Sequence, residues 1–117
     1  MTDKADPGPV TPRPFRLALS GEGDYQPILA GAPQSHGMRS GHVILAPGGE
    51  CGAHSTHKHE EVLVILDGAG TAHMKDKGEF DVRAGEVLYV PPDTEHNVIG
   101  GERGLRYVYV VAPTGGA

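Results

Sequence analysis

The chain has 117 residues, a formal net charge of −5 at pH 7 and a single cysteine, Cys51. This length corresponds to one domain, and the negative charge without a Lys/Arg cluster excludes nucleic acid and an anionic membrane surface as expected partners. Because one cysteine cannot form an internal disulfide and the N-terminus lacks the apolar segment of a secretory signal, we expect a cytoplasmic location.

The first segment in chain order is rich in proline. Residues 1–14 contain four prolines and one large apolar residue, Val10. So little apolar surface cannot offset the entropy lost on ordering, which predicts a flexible tail. We therefore expect residues 15–117 to form the single folded domain.

Short apolar runs separated by glycine, proline or aspartate follow from Phe15 onward. They predict strands over residues 15–19, 27–30, 42–46, 62–66, 71–75, 79–83, 86–90, 96–99 and 105–111. The sequence Asp76-Lys77-Gly78 predicts a hairpin turn whose last residue has a positive φ, and the segment Pro91-Pro92-Asp93 is expected to end the strand before it. No segment has sustained helical periodicity, so we expect an all-β sandwich or barrel with at most one helix.

Two of the predicted strands, Val62–Leu66 and Tyr107–Val111, are apolar on both faces. A strand with one wet face would alternate between apolar and polar residues, so the outer side of each must be covered by a second sheet or a partner subunit. We therefore predict a homodimer.

Three histidines lie within six residues and two glutamates follow them: His54, His57, His59, Glu60 and Glu61. Neutral imidazoles with a carboxylate form a ligand set for one divalent transition metal, either Fe, Mn, Ni, Cu or Zn. Where the backbone is extended, alternation places His57, His59 and Glu61 on one face and sends Leu63 and Ile65 into the core. The alternative interpretation is a solvated turn whose imidazoles bind nothing.

These residues resemble the first motif of the cupin superfamily, G-x5-H-x-H-x(3 or 4)-E-x6-G, especially in its small single-domain bacterial members. In the longer form of the motif Gly48, His54, Glu61 and Gly68 match, and Thr56 occupies the place of the second histidine. In the shorter form Gly49 and His57 match with the same glutamate and final glycine, and Ser55 replaces the first histidine.

A second motif of the same superfamily, G-x5-P-x-G-x2-H-x3-N, matches at Gly85, Pro91 and His96. Asp93 replaces its middle glycine, and Gly100 replaces its terminal asparagine. The resemblance covers residues 41–111 and implies a double-stranded β-helix, or jelly-roll barrel, with a metal near one mouth.

The resemblance implies metal ligation by Glu61 and His96 and by His54 or His57. His59 fits no ligand position of the family and is a candidate through the alternation of strand residues only. A divalent ion held by three imidazoles and one carboxylate would carry a net charge of +1, which favours an anionic, chelating ligand. Four arginines are placed singly along the chain, and a solvated surface position is the default interpretation of each: Arg39, Arg83, Arg103 and Arg106. Any one of them would bind a carboxylate if it lay at the mouth.

Three functions follow as hypotheses. The first is a metal-dependent enzyme acting on a small anionic or chelating metabolite, of the dioxygenase, isomerase, decarboxylase or lyase type, with catalytic residues not assigned. The second is a non-catalytic module that binds a small-molecule ligand with or without metal, which the missing histidine of the first motif favours. An interaction or storage role is a third, because a fold does not determine a function.

Overall fold

The computed structural model describes residues 11–115, and within that range the chain forms seven strands and no helix. It therefore has no helix in this range that is long and apolar enough to cross a membrane. The strands are β1 (Tyr25–Ala30), β2 (Arg39–Leu45), β3 (His54–Ser55), β4 (His59–Met74), β5 (Gly78–Arg83), β6 (Val87–Val90) and β7 (Glu95–Pro113). The prediction of an all-β chain is confirmed.

All pairings are antiparallel and follow the order β1-β2-β7-β4-β5, with β3 added to β7 and β6 to β4. The two long strands β4 and β7 pair along most of their length and form the centre of the barrel. This arrangement is consistent with a double-stranded β-helix. Tyr107, Leu63 and Ile65 are buried in its core, so the predicted inward direction of the last two is confirmed.

The segment Asp67–Gly70 is the place where β4 bends without ending. The predicted strands 62–66 and 71–75 form this one strand, because register shifts after Ile65 and Gly68 absorb the break. Gly68 has a φ of 79°, and a side chain there would collide with the carbonyl oxygen of Gly104 on β7. Residues 96–99 and 105–111 likewise belong to one strand, β7.

The predicted strand at residues 15–19 is wrong, because none of residues 11–19 lies in a strand. These residues, here called the arm, have strand-like alternation but are not assigned to a β-strand. Gln26 of β1 holds the end of the arm, since its Oε1 accepts from the Ser20 amide at 2.8 Å and its Nε2 donates to the Ala18 carbonyl at 3.1 Å. Of the tail predicted at residues 1–14, residues 1–10 lie outside the described range and residues 11–14 are exposed.

The predicted turn is confirmed, because Gly78 has a φ of 112° and the strand after Asp76-Lys77 begins there.

A fully buried histidine, His42, lies on β2. The Arg106 Nε–H donates to His42 Nε2 at 3.1 Å, so the neutral ring carries its hydrogen on Nδ1, which has no partner in the described chain. Burial, followed by the charge of Arg106, lowers the pKa of His42.

Candidate metal centre

Three potential metal ligands from three different strands meet at one end of the barrel. His54 lies on β3, Glu61 near the start of β4 and His96 near the start of β7. One ligand atom from each lies within 4.8 Å of the other two, and His96 Nε2 is 3.1 Å from Glu61 Oε1. The register explains the convergence, because His54 and His96 are direct cross-strand partners with ring centroids 4.3 Å apart.

Both imidazoles are oriented by the backbone in the same way. His54 Nδ1 contacts the Gly52 carbonyl at 2.9 Å, and His96 Nδ1 contacts the Thr94 carbonyl at 3.0 Å. A carbonyl can only accept, so each Nδ1 carries the hydrogen and each Nε2 keeps its lone pair for a metal in the neutral ring. Metal-binding histidines are held by such bonds to backbone carbonyls, so the donor set fits a divalent ion.

The buried carboxylate of Glu61 needs a cation beside it. Burial lowers the pKa of His96, but the hydrogen bonds to Glu61 and Thr94 and the charge of Glu61 outweigh it, and the net shift is upward. Without a metal, a second proton on His96 Nε2, facing Glu61, is held more strongly than in a free imidazole. A bound metal ion would take the place of this proton, since ligands must be deprotonated to coordinate.

A cavity of about 600 Å³ adjoins the cluster, and His54 and Glu61 form part of its wall. Apolar side chains such as Val43 and Val111 line it, and polar groups face it: Tyr25, Arg39, Cys51, Tyr107 and Tyr109. Sequence reasoning did not assign the arginine to the cavity because the predicted strand began three residues after it. The alternation of Arg39, Gly41 and Val43 along β2 is the signal that identifies it.

Known proteins are similar to this chain over the segment that contains the three ligand candidates. Residues 41–111, more than half of the chain, match the cupin domain family. This chain belongs to the cupin family. It is 35% identical over 72 residues to the dimethylsulfoniopropionate lyase DddW of Ruegeria pomeroyi, a match covering 62% of this chain and 46% of the lyase. The chain spans less than half the length of the curated relatives it matches.

Solved structures agree on the fold. A cupin protein from Bacteroides fragilis superposes with a TM-score of 0.70 at 17% identity, covering 88% of this chain and 86% of that protein. A cupin 2 conserved barrel domain protein from Salinispora arenicola has a TM-score of 0.64 at 22% identity, with 85% of each chain covered. At these identities the likeness concerns the fold.

Thr56 has a structural role in this cupin at the position of the family's second histidine. It is buried, its Oγ1 donates to the Pro91 carbonyl at 2.7 Å, and it accepts from the Thr94 amide at 3.0 Å. The side chain thus joins the β3 segment to the turn before β7. Since the carbonyl of Thr94 orients the His96 ring, Thr56 supports the cluster without contributing a ligand to it.

The other two histidines of the sequence cluster lie apart from the three ligand candidates. His57 is exposed with a φ of 52°, so the chain turns there, and the alternation that would align it with Glu61 does not begin until β4. His59 begins β4, half-buried, opposite Pro113. Ligation by His57 or His59 stays a prediction, and the geometric cluster takes His54 from the motif.

Two further ionisable groups line the cavity, and burial raises the pKa of both. Burial raises the pKa of the Cys51 thiol, and the amide of Val98 donates to its sulfur at 3.3 Å. Burial also raises the pKa of Tyr107. Both groups are therefore protonated near neutral pH, and the thiol is directed at protein acceptors, the Gly52 carbonyl at 3.5 Å and Asn97 Oδ1 at 3.6 Å.

Proposed function

We propose that this cupin binds one divalent transition metal through His54, Glu61 and His96 and acts on a small carboxylate. The observation that carries the proposal is the convergence of the three ligand atoms within 4.8 Å beside a cavity of about 600 Å³. The reaction is of the lyase, decarboxylase, isomerase or dioxygenase type.

The donor set narrows the choice of metal and ligand. Two imidazoles and one carboxylate are used by non-haem iron(II) and by catalytic zinc, and both leave coordination positions open. A divalent ion with one carboxylate has a net charge of +1, so a bound metal would attract an anionic ligand and supply Lewis-acid chemistry. The similarity to a lyase whose named substrate is a propionate also favours a carboxylate.

Elemental analysis of protein purified without a histidine tag tests the proposal. We expect about one equivalent of transition metal per chain in the wild type and in Glu60→Gln, and near-complete loss in Glu61→Gln. Glu60 is the matched control because it is the adjacent residue of β4, exposed, and bonded to the Tyr89 hydroxyl at 2.8 Å. Equal metal content in the two variants, or no uptake by the wild type after reconstitution, would contradict the proposed site.

The second candidate function is a metal-assisted binding module without turnover. Thr56 favours it, because this position supplies no third imidazole and metal retention is expected to be weaker. Metal-loaded protein that binds a carboxylate stoichiometrically but converts none of a panel of small carboxylates would favour the module over the enzyme.

We also propose that this cupin is a homodimer, on the evidence of two apolar surfaces. Val64 and Leu66 on β4 and Val87 and Tyr89 on β6 are exposed, Val87 to 64%, on the face opposite the buried Leu63. These residues form the outer face. Covering apolar side chains stabilises an assembly in proportion to the area removed from water.

The arm is the second apolar surface, and its apolar side chains are complementary in chemistry to those of the outer face. Phe15, Leu17 and Leu19 alternate and are all exposed, Phe15 to 50%. Nine extended residues reach about 30 Å, enough to cross the five strands β1-β2-β7-β4-β6, which span about 20 Å. The arm of one copy therefore has the length and the chemistry to cover the outer face of a second.

Light scattering coupled to size-exclusion chromatography tests the dimer. Leu17→Glu and Val87→Glu are expected to give monomers, whereas Phe80→Glu, a similarly exposed position on β5, should leave a dimer. A monomeric wild type at micromolar concentration would contradict this proposal.

A further inference from the structure

Arg39 lies in the same row of the barrel wall as the metal-ligand candidate Glu61. Val111 of β7 pairs with Arg39 of β2 on one side and with Glu61 of β4 on the other. Cross-strand partners point to the same face, so all three side chains are on the inner face, and all three line the cavity. Two strand spacings separate the backbones of Arg39 and Glu61 by about 10 Å.

Within the described residues, the charge of Arg39 has no acidic partner. No acidic side chain within residues 11–115 lies within 4.0 Å of its guanidinium, although Asp24, Glu50 and Glu61 line the same cavity. A guanidinium offers a planar fork of donors that matches a carboxylate with two parallel hydrogen bonds. The guanidinium of Arg39 is thus a cationic hydrogen-bond donor at the cavity, and no carboxylate of the described residues pairs with it.

A pair of tyrosines stands beside this guanidinium. The hydroxyls of Tyr25 and Tyr109 are 2.6 Å apart, and the rings are stacked with centroids 6.4 Å apart. Only one of the two hydroxyl hydrogens is used between them, so the other remains available to an acceptor in the cavity. Tyr109 is the cross-strand partner of Gly41, which lies two residues along β2 from Arg39 on the same face, and both Arg39 and Tyr109 line the cavity.

Gly41 makes room for the tyrosine pair. It lies directly opposite Tyr109, and a β-carbon at this position would overlap the ring and hydroxyl of Tyr25. The absent side chain therefore lets Tyr25 cross from β1, the edge strand, to the wall that carries Tyr109. The Tyr25 hydroxyl thereby reaches the hydroxyl of Tyr109 at the cavity wall.

We infer that Arg39, together with the Tyr25–Tyr109 pair, forms an anion subsite facing the metal cluster, and that the ligand of this cupin is a small dicarboxylate. One carboxylate is bound at the cluster of His54, Glu61 and His96, and the other pairs with Arg39. The inference rests on the proposed function for the first carboxylate only. The second is recognised by groups that are not metal ligands.

Calorimetric titration of zinc-loaded protein with succinate and butyrate tests the subsite, because the two acids have equal carbon number and differ by one carboxylate. A charge-assisted bond contributes about 1.5–3 kcal/mol, so we expect succinate to bind at least about tenfold more tightly than butyrate. Arg39→Gln should abolish this preference, and Arg39→Lys should restore part of it. Arg103→Gln, at an exposed position between the two halves of β7, should leave it unchanged.

Metal content and melting temperature are measured for every variant, which separates this inference from the proposed function. Arg39→Gln with wild-type metal content and no succinate preference supports the subsite. Equal binding of the two acids by the wild type, or a preference retained in Arg39→Gln, overturns it. If the protein takes up no metal, the proposed function fails, and loss or retention of succinate binding by metal-free Arg39→Gln still decides the subsite.

Discussion

Replacing Thr56 with valine keeps the shape of the side chain but removes a hydroxyl that supports the three candidate metal ligands, His54, Glu61 and His96. The hydroxyl is buried and satisfies two backbone groups, the carbonyl of Pro91 and the amide of Thr94. In the valine variant both groups lose their partner, and the amide of the buried Thr94 has no access to bulk water. The turn that positions His96 then keeps its backbone hydrogen bonds to the β3 segment, such as Thr56 amide to Thr94 carbonyl at 3.2 Å, but loses both side-chain bonds.

The magnitude follows from the burial of these two groups. An unsatisfied buried donor or acceptor costs about 1–3 kcal/mol. The amide of the buried Thr94 is expected to incur this cost in full and the carbonyl of the half-buried Pro91 in part, so we expect a loss of about 3 kcal/mol in unfolding free energy. Thr56→Ser is the matched control, because it keeps the hydroxyl and loses one methyl group, a cost of about 1 kcal/mol.

Calorimetry on metal-free protein measures the difference between the two variants. For a domain of this size the gap of about 2 kcal/mol corresponds to a melting temperature about 10 °C lower for Thr56→Val than for Thr56→Ser. The valine variant should also bind zinc more weakly, because its His96 ring is less well oriented. Equal melting temperatures would refute the assignment of Thr56 as the link between the two segments.

Three further predictions concern the metal, the pH dependence and the bend of β4. Chelation should lower the melting temperature of metal-loaded wild type and leave Glu61→Gln unchanged, because a metal held by His54, Glu61 and His96 would bridge three strands of the folded state only. His42 has a lowered pKa, so the unfolded chain takes up its proton first as the pH falls below the ordinary value of 6.5. Denaturant unfolding should therefore show the stability of the wild type falling relative to His42→Leu between about pH 7 and pH 5. Gly68→Ala should cost more than about 3 kcal/mol by the same assay, because strain adds to a collision with the Gly104 carbonyl. Gly85→Ala, at a φ of 90° with open space around it, should cost about 1–2 kcal/mol. Equal losses would contradict the close packing inferred at the bend.

Local sequence patterns predicted most of the fold because strand residues alternate and turns need particular residues. Leu63 and Ile65 were placed in the core by alternation, and the turn ending at Gly78 by its glycine. The same patterns could not distinguish a bulge from a turn, so the break at Asp67–Gly70 was interpreted as the end of a strand. Alternation also predicted a strand at residues 15–19, where hydrogen bonding depends on a neighbour that a sequence does not reveal. The homodimer and the cytoplasmic location stay predictions.

The candidate site could be predicted only in part, because contacts between residues distant in sequence bring its side chains together. Spacing alone left His54 and His57 as alternatives, and the pairing of β3 with β7 brings His54 against His96. Arg39 and Tyr25 lie far from the motif and come to the cavity through the sheet order β1-β2-β7-β4. No local pattern encodes that order, which is why an unassigned arginine could be suspected at the mouth but not located.

Threonine at the second-histidine position changes coordination without changing charge. Histidine bound to a metal is neutral, and so is threonine, so the net charge of a divalent site with Glu61 stays at +1. The site therefore keeps its attraction for carboxylates but has one protein ligand fewer, which leaves an additional position open to an exogenous ligand. Weaker retention of the metal is the expected consequence. A ligand with two carboxylates would compensate for it, because Arg39 would hold the second carboxylate and raise the effective concentration of the first at the metal.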